Sequence, residues 1–292
     1  MASIVFVGVS TGSSLVHRAM SAWQTILGMP CVVRGVDIGL DAGDSTYVEL
    51  LDTLARDRSL SGAVITTHKG RLFRAGRARF ARLDPVAIAC EEVNAIRCTP
   101  DGLFGWARDP VSVGRVADRI WPASQGRVIC LGAGGTARAL ALHLFQTRAP
   151  VRFVCADPDP VALRQLARVI GHPVDAHIGD GPWDALVETA PPGSLVVNAT
   201  GMGKDRPGSP VTDSTRFPPG SVVWELNYRG ELGFLDHALA QRDSLDLHVH
   251  DGWELFCHGW SAALSAVLDL PDDVTIGDRL ARAAQSLRPA TI

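Results

Sequence analysis

Two residues of this 292-residue chain stand where proton chemistry is commonly built. Lys69 lies just beyond the apolar run of GAVITTHKG, and Asp109 just beyond that of GLFGWARDP. Strand ends facing a cleft are where α/β folds place reacting groups. A lysine and a carboxylate brought together there can exchange a proton with a substrate hydroxyl while hydride passes to a nicotinamide. An untuned lysine, with a pKa of about 10.4, is almost wholly protonated at neutral pH, so this role requires a lowered pKa or a partner such as Asp109. The competing reading is plain: most lysines and aspartates at loop starts are solvated surface groups.

The second constellation is the break in VICLGAGGTARALALHLF, residues 128 to 145. After a buried strand, a dinucleotide site needs a sharp turn, close backbone approach and tight strand-to-helix packing. Gly132, Gly134 and the small Ala137 stand where GxGxxG/A needs them. The N–H groups and dipole of the following helix then favour a pyrophosphate. Asp157, closing VRFVCAD, is placed to accept hydrogen bonds from an adenosine ribose, and a 2′-phosphate there would meet like charge, with Asp159 adding to it. The expected cofactor is therefore NAD rather than NADP. Alternatively Asp157 caps the next helix, since DPDP also suits an N-cap followed by proline.

Other chemistries are less well served. HVH at 248 to 250 would put two imidazoles on one face of a strand, but no third ligand follows at recognisable spacing, and no metal is expected. GVSTGSS spells the G-x-S-x-G of a serine nucleophile, but no His/Asp partner for it is indicated by sequence. The basic stretch RLFRAGRARFARL, residues 71 to 83, either tracks phosphates or, as we favour, is the solvated face of a helix. Tryptophans such as Trp224, Trp253 and Trp260 suit a core or a pocket wall better than a platform for bases.

The elements that must position these residues alternate in type. IVFVGV, CVVRGVDI and GAVITTHK are strand-like and are separated by the helix-like LVHRAMSAWQTILG and YVELLDTLARD, a βαβ series with a parallel sheet. Two short strands around PDG, within residues 91 to 106, suggest a hairpin at that sheet's edge. RVICLGAG, VRFVCADPDP, SLVVNATG and SVVWELNY form a second, doubly wound series. WELFCHGWSAALSAVL and DRLARAAQSL close the chain at helical spacing. With 46% hydrophobic residues, 20% charged residues and a formal charge of -3, the chain can bury a large core and carries no field that argues for nucleic acid or an anionic membrane. Six cysteines without CxxC pairing, no signal-like N-terminus and no membrane-length run suggest free thiols and a cytoplasmic location.

The order of these motifs resembles the shikimate/quinate dehydrogenase family over nearly the whole chain. STGSSLVH is similar to its S-x-S before P-x-x-H, at Thr11, Ser13 and His17; AVITTHK is similar to N-V-T-x-P-x-K and implies Lys69 as the catalytic lysine. EVNAI resembles A-V-N-T, with Asn94 as a substrate-binding asparagine, and GWARD resembles G-x-N-T-D, with Asp109 as the catalytic aspartate. GAGGTARA matches the glycine loop, adding Gly135 and Thr136 to the cofactor set. VNAT (Asn198, Ala199, Thr200) resembles I-N-A-T and joins the cofactor set, and ELNY (Leu226, Tyr228) and DGWELF (Gly252) resemble the segments that lie beside the nicotinamide and substrate. The resemblance implies an α/β fold: an N-terminal α/β substrate domain, residues 1–109 completed by 250–292, and a Rossmann-type doubly wound parallel sheet over 110–249, with the final helices packing back on the first domain.

Departures fall in the implied pocket. Ile65 replaces a substrate-binding threonine, leaving Thr66 or Thr67 to supply a hydroxyl; Ala107 and Arg108 precede the aspartate; Gly259 replaces a glutamine, with His258 beside it. Arg108 either forks onto a substrate anion or points to solvent. Thr11, Ser13, Thr66, Asn94, Arg108, Tyr228 and His258 thus form the expected substrate set. The expected partner is a small polyhydroxylated, carboxylated ring, bound by a monomer or homodimer. The expected activity is interconversion of a ring hydroxyl and ketone of shikimate, quinate or a close analogue. A dehydrogenase of another cyclitol or amino-substituted analogue, and a non-catalytic dinucleotide-binding regulator, are the alternatives.

Overall fold

The computed structural model describes residues 1–122, 126–148, 151–204 and 206–289. The chain divides into two compact units, one of Met1–Ser112 with Cys257–Arg288 and one built on Val113–Phe256.

In the first unit the order is β1 (Ala2–Gly8), α1 (Val16–Leu27), β2 (Cys31–Asp37), α2 (Asp44–Arg56), β3 (Gly62–Ile65), α3 (Lys69–Gly76), β4 (Phe80–Leu83), α4 (Pro85–Cys90), β5 (Ala95–Thr99) and β6 (Gly102–Trp106). The sheet runs β2-β1-β3-β5-β6-β4. β1, β2 and β3 are parallel, as their alternation with helices requires, whereas β5 pairs antiparallel with both β3 and β6. The PDG hairpin exists, but it is not at the edge. β4 covers β6 in parallel register and takes the edge itself.

That strand also corrects the reading of the basic stretch as one helix. α3 stops at Gly76, where a Cβ would lie 2.1 Å from Leu51 Cδ1, and a short 3-10 turn leads into β4. The arginines are spent locally: Arg79 pairs with Asp52 at 2.8 Å, while Arg77 and Arg82 lie over the rings of Phe73 and Phe104.

The second unit continues with α5 (Asp109–Ile120), β7 (Val128–Leu131), α6 (Gly135–Thr147), β8 (Phe153–Asp157), α7 (Pro160–Ile170), β9 (Asp175–Ile178), α8 (Asp184–Glu188), β10 (Leu195–Asn198), β11 (Val222–Glu225), α9 (Gly233–Leu245) and β12 (His248–His250). Its sheet, β12-β11-β10-β7-β8-β9, is parallel throughout. This is the doubly wound order, reversing beside β7. The central strands are buried on both faces because helices cover both. β9 has no apolar signature, being an exposed edge strand of sequence DAHI.

α10 (Trp253–Leu268) and α11 (Val274–Ala283) complete the helices. The C-terminal part of α10 and all of α11 pack on the first unit: the buried Trp23 donates its Nε1–H to the Leu280 carbonyl at 2.9 Å and meets the Trp260 ring. All six cysteines are free, five of them buried and Cys98 partly so. Among the described residues no helix is long and apolar enough to cross a membrane.

Candidate active site

Strand pairing explains how residues far apart in sequence meet. Val64 of β3 faces Ala95 of β5, and Ala95 faces Trp106 of β6. The carboxyl end of β3, the start of β5 and the end of β6 therefore share one edge. Lys69 opens α3 just past β3, Asn94 immediately precedes β5, and Asp109 opens α5 just past β6. The Lys69 ammonium forms an ion pair with Asp109 Oδ2, both side chains being largely buried. Asn94 donates from Nδ2 to Asp109 Oδ1 at 2.5 Å. Its own Oδ1 accepts the Arg108 N–H at 2.7 Å, which fixes which end of the amide faces the carboxylate.

A neighbour not singled out in the sequence supports Lys69. His68 is buried, with Nδ1 2.9 Å from the Tyr47 hydroxyl and Nε2 2.9 Å from the Ile38 carbonyl oxygen. A carbonyl only accepts, so Nε2 carries hydrogen toward Ile38, while Nδ1 is bonded to the Tyr47 hydroxyl. Held at both ring nitrogens, the imidazole pins the residue from which α3 starts. Its partners are 21 and 30 positions away, and no local pattern signals them.

The remaining first-unit candidates fall into two groups. Thr11 and Thr66 converge at the end of β1: a Cβ on Gly8 would lie 2.9 Å from Thr66 Oγ1 and 3.2 Å from Thr11 Cγ2. The Thr66 hydroxyl donates to the Val7 carbonyl at 3.1 Å. Thr11 donates both its N–H, at 2.7 Å, and its hydroxyl, at 2.6 Å, to Asp37 Oδ1. These two bonds hold the exposed Asp37 carboxyl below the usual aspartate range. Ser13 is exposed and donates to the Ser10 carbonyl at 3.0 Å. Arg108 and His258 instead tie down the C-terminal segment. The Arg108 guanidinium pairs with Asp272, while His258 is buried against Gly277 with Nε2 3.2 Å from Asp278 Oδ1. Among the described residues, no atom lies within 4 Å of a Cβ built on Gly259.

In the second unit the glycines do different work. Gly132 has φ +102, and a Cβ there would lie 2.6 Å from the Ala199 carbonyl oxygen. Gly134, the N-cap of α6, has open space where a Cβ would stand. Gly135 and Thr136 are partly exposed in the first helical turn, and Ala137 is buried beneath them. An exposed helix N-terminus with unobstructed backbone N–H groups fits a dinucleotide pyrophosphate. Asp157 Oδ2 accepts the Ala133 N–H at 2.7 Å and Oδ1 accepts the Asp159 N–H at 2.8 Å. Asp159, not Asp157, caps α7.

Beside this loop the ends of β10 and β11 are joined. Asn198 donates from Nδ2 to Glu225 Oε2 at 2.6 Å and accepts at Oδ1 from the Thr200 hydroxyl at 2.7 Å. Glu225 Oε1 accepts both the N–H and Nδ2 of Asn227, each at 2.7 Å. Gly252 lies directly against Leu226, whose carbonyl oxygen would be 2.0 Å from an added Cβ. The Tyr228 ring packs on Phe256 and Trp253, with centroids 4.6 and 6.0 Å away.

No protein-family model matches the chain. A structure of shikimate 5-dehydrogenase from Thermus thermophilus in complex with shikimate superposes with a TM-score of 0.73 at 23% identity, covering 98% of this chain and 99% of that one. A quinate dehydrogenase from Corynebacterium glutamicum in complex with NAD gives 0.74 at 22% identity, over 98% and 99%. At those identities the likeness is one of fold. In sequence, shikimate dehydrogenase (NADP(+)) from Acidiphilium cryptum (strain JF-5) is 33% identical over 201 residues, 67% of each chain. On that relationship, the chain belongs to the shikimate dehydrogenase family of oxidoreductases.

Proposed function

We propose that the protein interconverts a ring hydroxyl and ketone on shikimate, quinate or a close analogue, with NAD as the favoured dinucleotide. The observation that carries this reading is the Lys69–Asp109 ion pair with Asn94 on the second carboxylate oxygen. A bound nicotinamide supplies the hydride acceptor. As the hydroxyl proton moves to Lys69 Nζ, a proton already on Nζ passes to Asp109 Oδ2, so the relay never requires a free neutral lysine. Asn94, clamped by the Arg108 N–H, keeps Oδ1 engaged and Oδ2 turned to the lysine. In reduction the same groups return the proton to the forming alkoxide.

The dinucleotide is assigned to the loop from Gly132 to Ala137, with Asn198, Ala199, Thr200, Leu226 and Gly252 alongside. NAD is favoured because Asp157 is a carboxylate with no cation paired to it among the described residues; its remaining lone pairs suit ribose hydroxyls and repel a 2′-phosphate. The Acidiphilium relative is named for NADP+, whereas the Corynebacterium enzyme holds NAD. Both alternative functions are disfavoured by relatives that are shikimate and quinate dehydrogenases. Initial rates with shikimate and quinate, each with NAD and NADP, provide the test. Turnover of either acid with NAD is expected to exceed that with NADP, and no reduced nicotinamide from any pairing would overturn the reading.

A further inference from the structure

Glu225 carries a fully buried carboxyl whose hydrogen bonds all come from amide donors. We propose that Glu225 is a positioning residue of the dinucleotide site, and that its ionised form is what holds the surrounding loops in their binding arrangement. This rests on the nucleotide-binding reading above.

The geometry carries the argument. Oε1 accepts from Asn227 N and Nδ2, and Oε2 accepts from Asn198 Nδ2. Neither amide can turn to help a protonated carboxyl without loss elsewhere. Asn198 Oδ1 is held by the N–H and hydroxyl of Thr200, at 3.1 and 2.7 Å, and Asn227 Nδ2 also reaches the Met202 carbonyl at 3.1 Å. An added proton on Glu225 would therefore point at a donor and forfeit a bond. The loops hung on this carboxylate then lock their neighbours. Thr200 and Ala199 press on Gly132 of the glycine loop. The Asn227 carbonyl accepts the Gly252 N–H at 2.9 Å, and Leu226 closes over the same glycine. Four segments that border the proposed cofactor thus take their positions from one charge.

The surroundings make that charge titratable near neutrality. Burial pushes the Glu225 carboxyl up to about 7 against the pull of its Asn227 and Asn198 hydrogen bonds. Asp251, after β12, is the charged group that faces it and pushes the same way, and among the described residues no cation is paired with it. The signs of two properties then diverge. The folded carboxyl holds its proton more tightly than the unfolded one, so this group's contribution to stability declines as pH rises from about 4.5 through about 7. Dinucleotide affinity, requiring the anion, rises over the upper part of that window.

The test follows dinucleotide binding by tryptophan fluorescence from acidic to mildly alkaline pH, alongside thermal unfolding on the same samples. Wild type is expected to lose affinity about tenfold per pH unit below the midpoint while its unfolding temperature does not fall in parallel. E225Q is expected to flatten that limb and raise the dinucleotide KM about tenfold with a smaller change in kcat. E225D, which keeps the charge, is expected to retain the limb, and it decides the matter together with the wild-type profile should E225Q not fold. An unchanged limb in E225Q, or a wild-type affinity that is flat through neutrality, overturns the role of Glu225 alone. Absence of any dinucleotide binding by wild type removes the underlying reading with it.

Discussion

The two sheets achieve convergence by different means. In the parallel sheet of the second unit, the ends of β7, β8, β10 and β11 all point the same way, so the loops after them meet without further device. What they present is mostly backbone: an open helix start at Gly134, and Gly132 pressed beneath Ala199. In the first unit β1, β2, β3, β4 and β6 share one polarity, and β5 alone, antiparallel to both its neighbours, brings its beginning, not its end, to the same edge. That inversion puts Asn94, which precedes a strand, beside Lys69 and Asp109, which follow strands. The lesson is that a uniform sheet suffices to bring backbone N–H groups to one place, whereas three side chains of different character were assembled by reversing one strand.

Substitutions can sharpen or break this contrast. Lys69→Ala should have the largest effect, lowering kcat by about 10²- to 10⁴-fold while leaving the dinucleotide dissociation constant near wild type; turnover close to wild type would eliminate the relay. The paired variants Gly132→Ala and Gly134→Ala come next. At Gly132 the positive φ and the Ala199 carbonyl forbid a methyl group, so stability should drop by about 1–3 kcal/mol. At Gly134 nothing in the protein resists one, and the cost should appear in dinucleotide affinity with unfolding nearly unchanged. Equal loss of stability in both would show that the loop does not distinguish fold from ligand approach. Asp37→Asn should be the mildest. Because the Thr11 bonds depress the native carboxyl, its contribution is present above the unfolded pKa and disappears as pH falls through the folded one. The variant should therefore show a slightly shallower acid-side decline in melting temperature, measurable by calorimetry across that range.

Much of the architecture was legible because buried parallel strands are written as apolar runs. VICL, LVVN and VVWE are buried at every position, and CVVRGVDI and IVFVGV stand apart from their helices by clear turns. The edges were not legible. DAHI and FARL are little-buried strands whose pairing comes from the neighbour, and the arginines that lead into the latter mimic a helix face. Within the candidate site, the types of Lys69, Asn94 and Asp109 could be read from motifs, but their meeting depends on β3–β5–β6 register. Thr11 illustrates a subtler limit. A hydroxyl that motif order offers to a ligand is engaged by Asp37, 26 residues away. His68 and Glu225 were passed over because their roles depend on carbonyl and amide partners that no spacing rule connects.

The contact between Trp23 and Leu280 bears on how the polypeptide is made. The N-terminal 112 residues leave the ribosome without the helices that cover Trp23, Phe6 and their neighbours. The middle segment, continuous in sequence, can reach its native arrangement while the beginning of the chain is still waiting. The half that carries the ion pair therefore cannot complete its core until the C-terminal helices have been made.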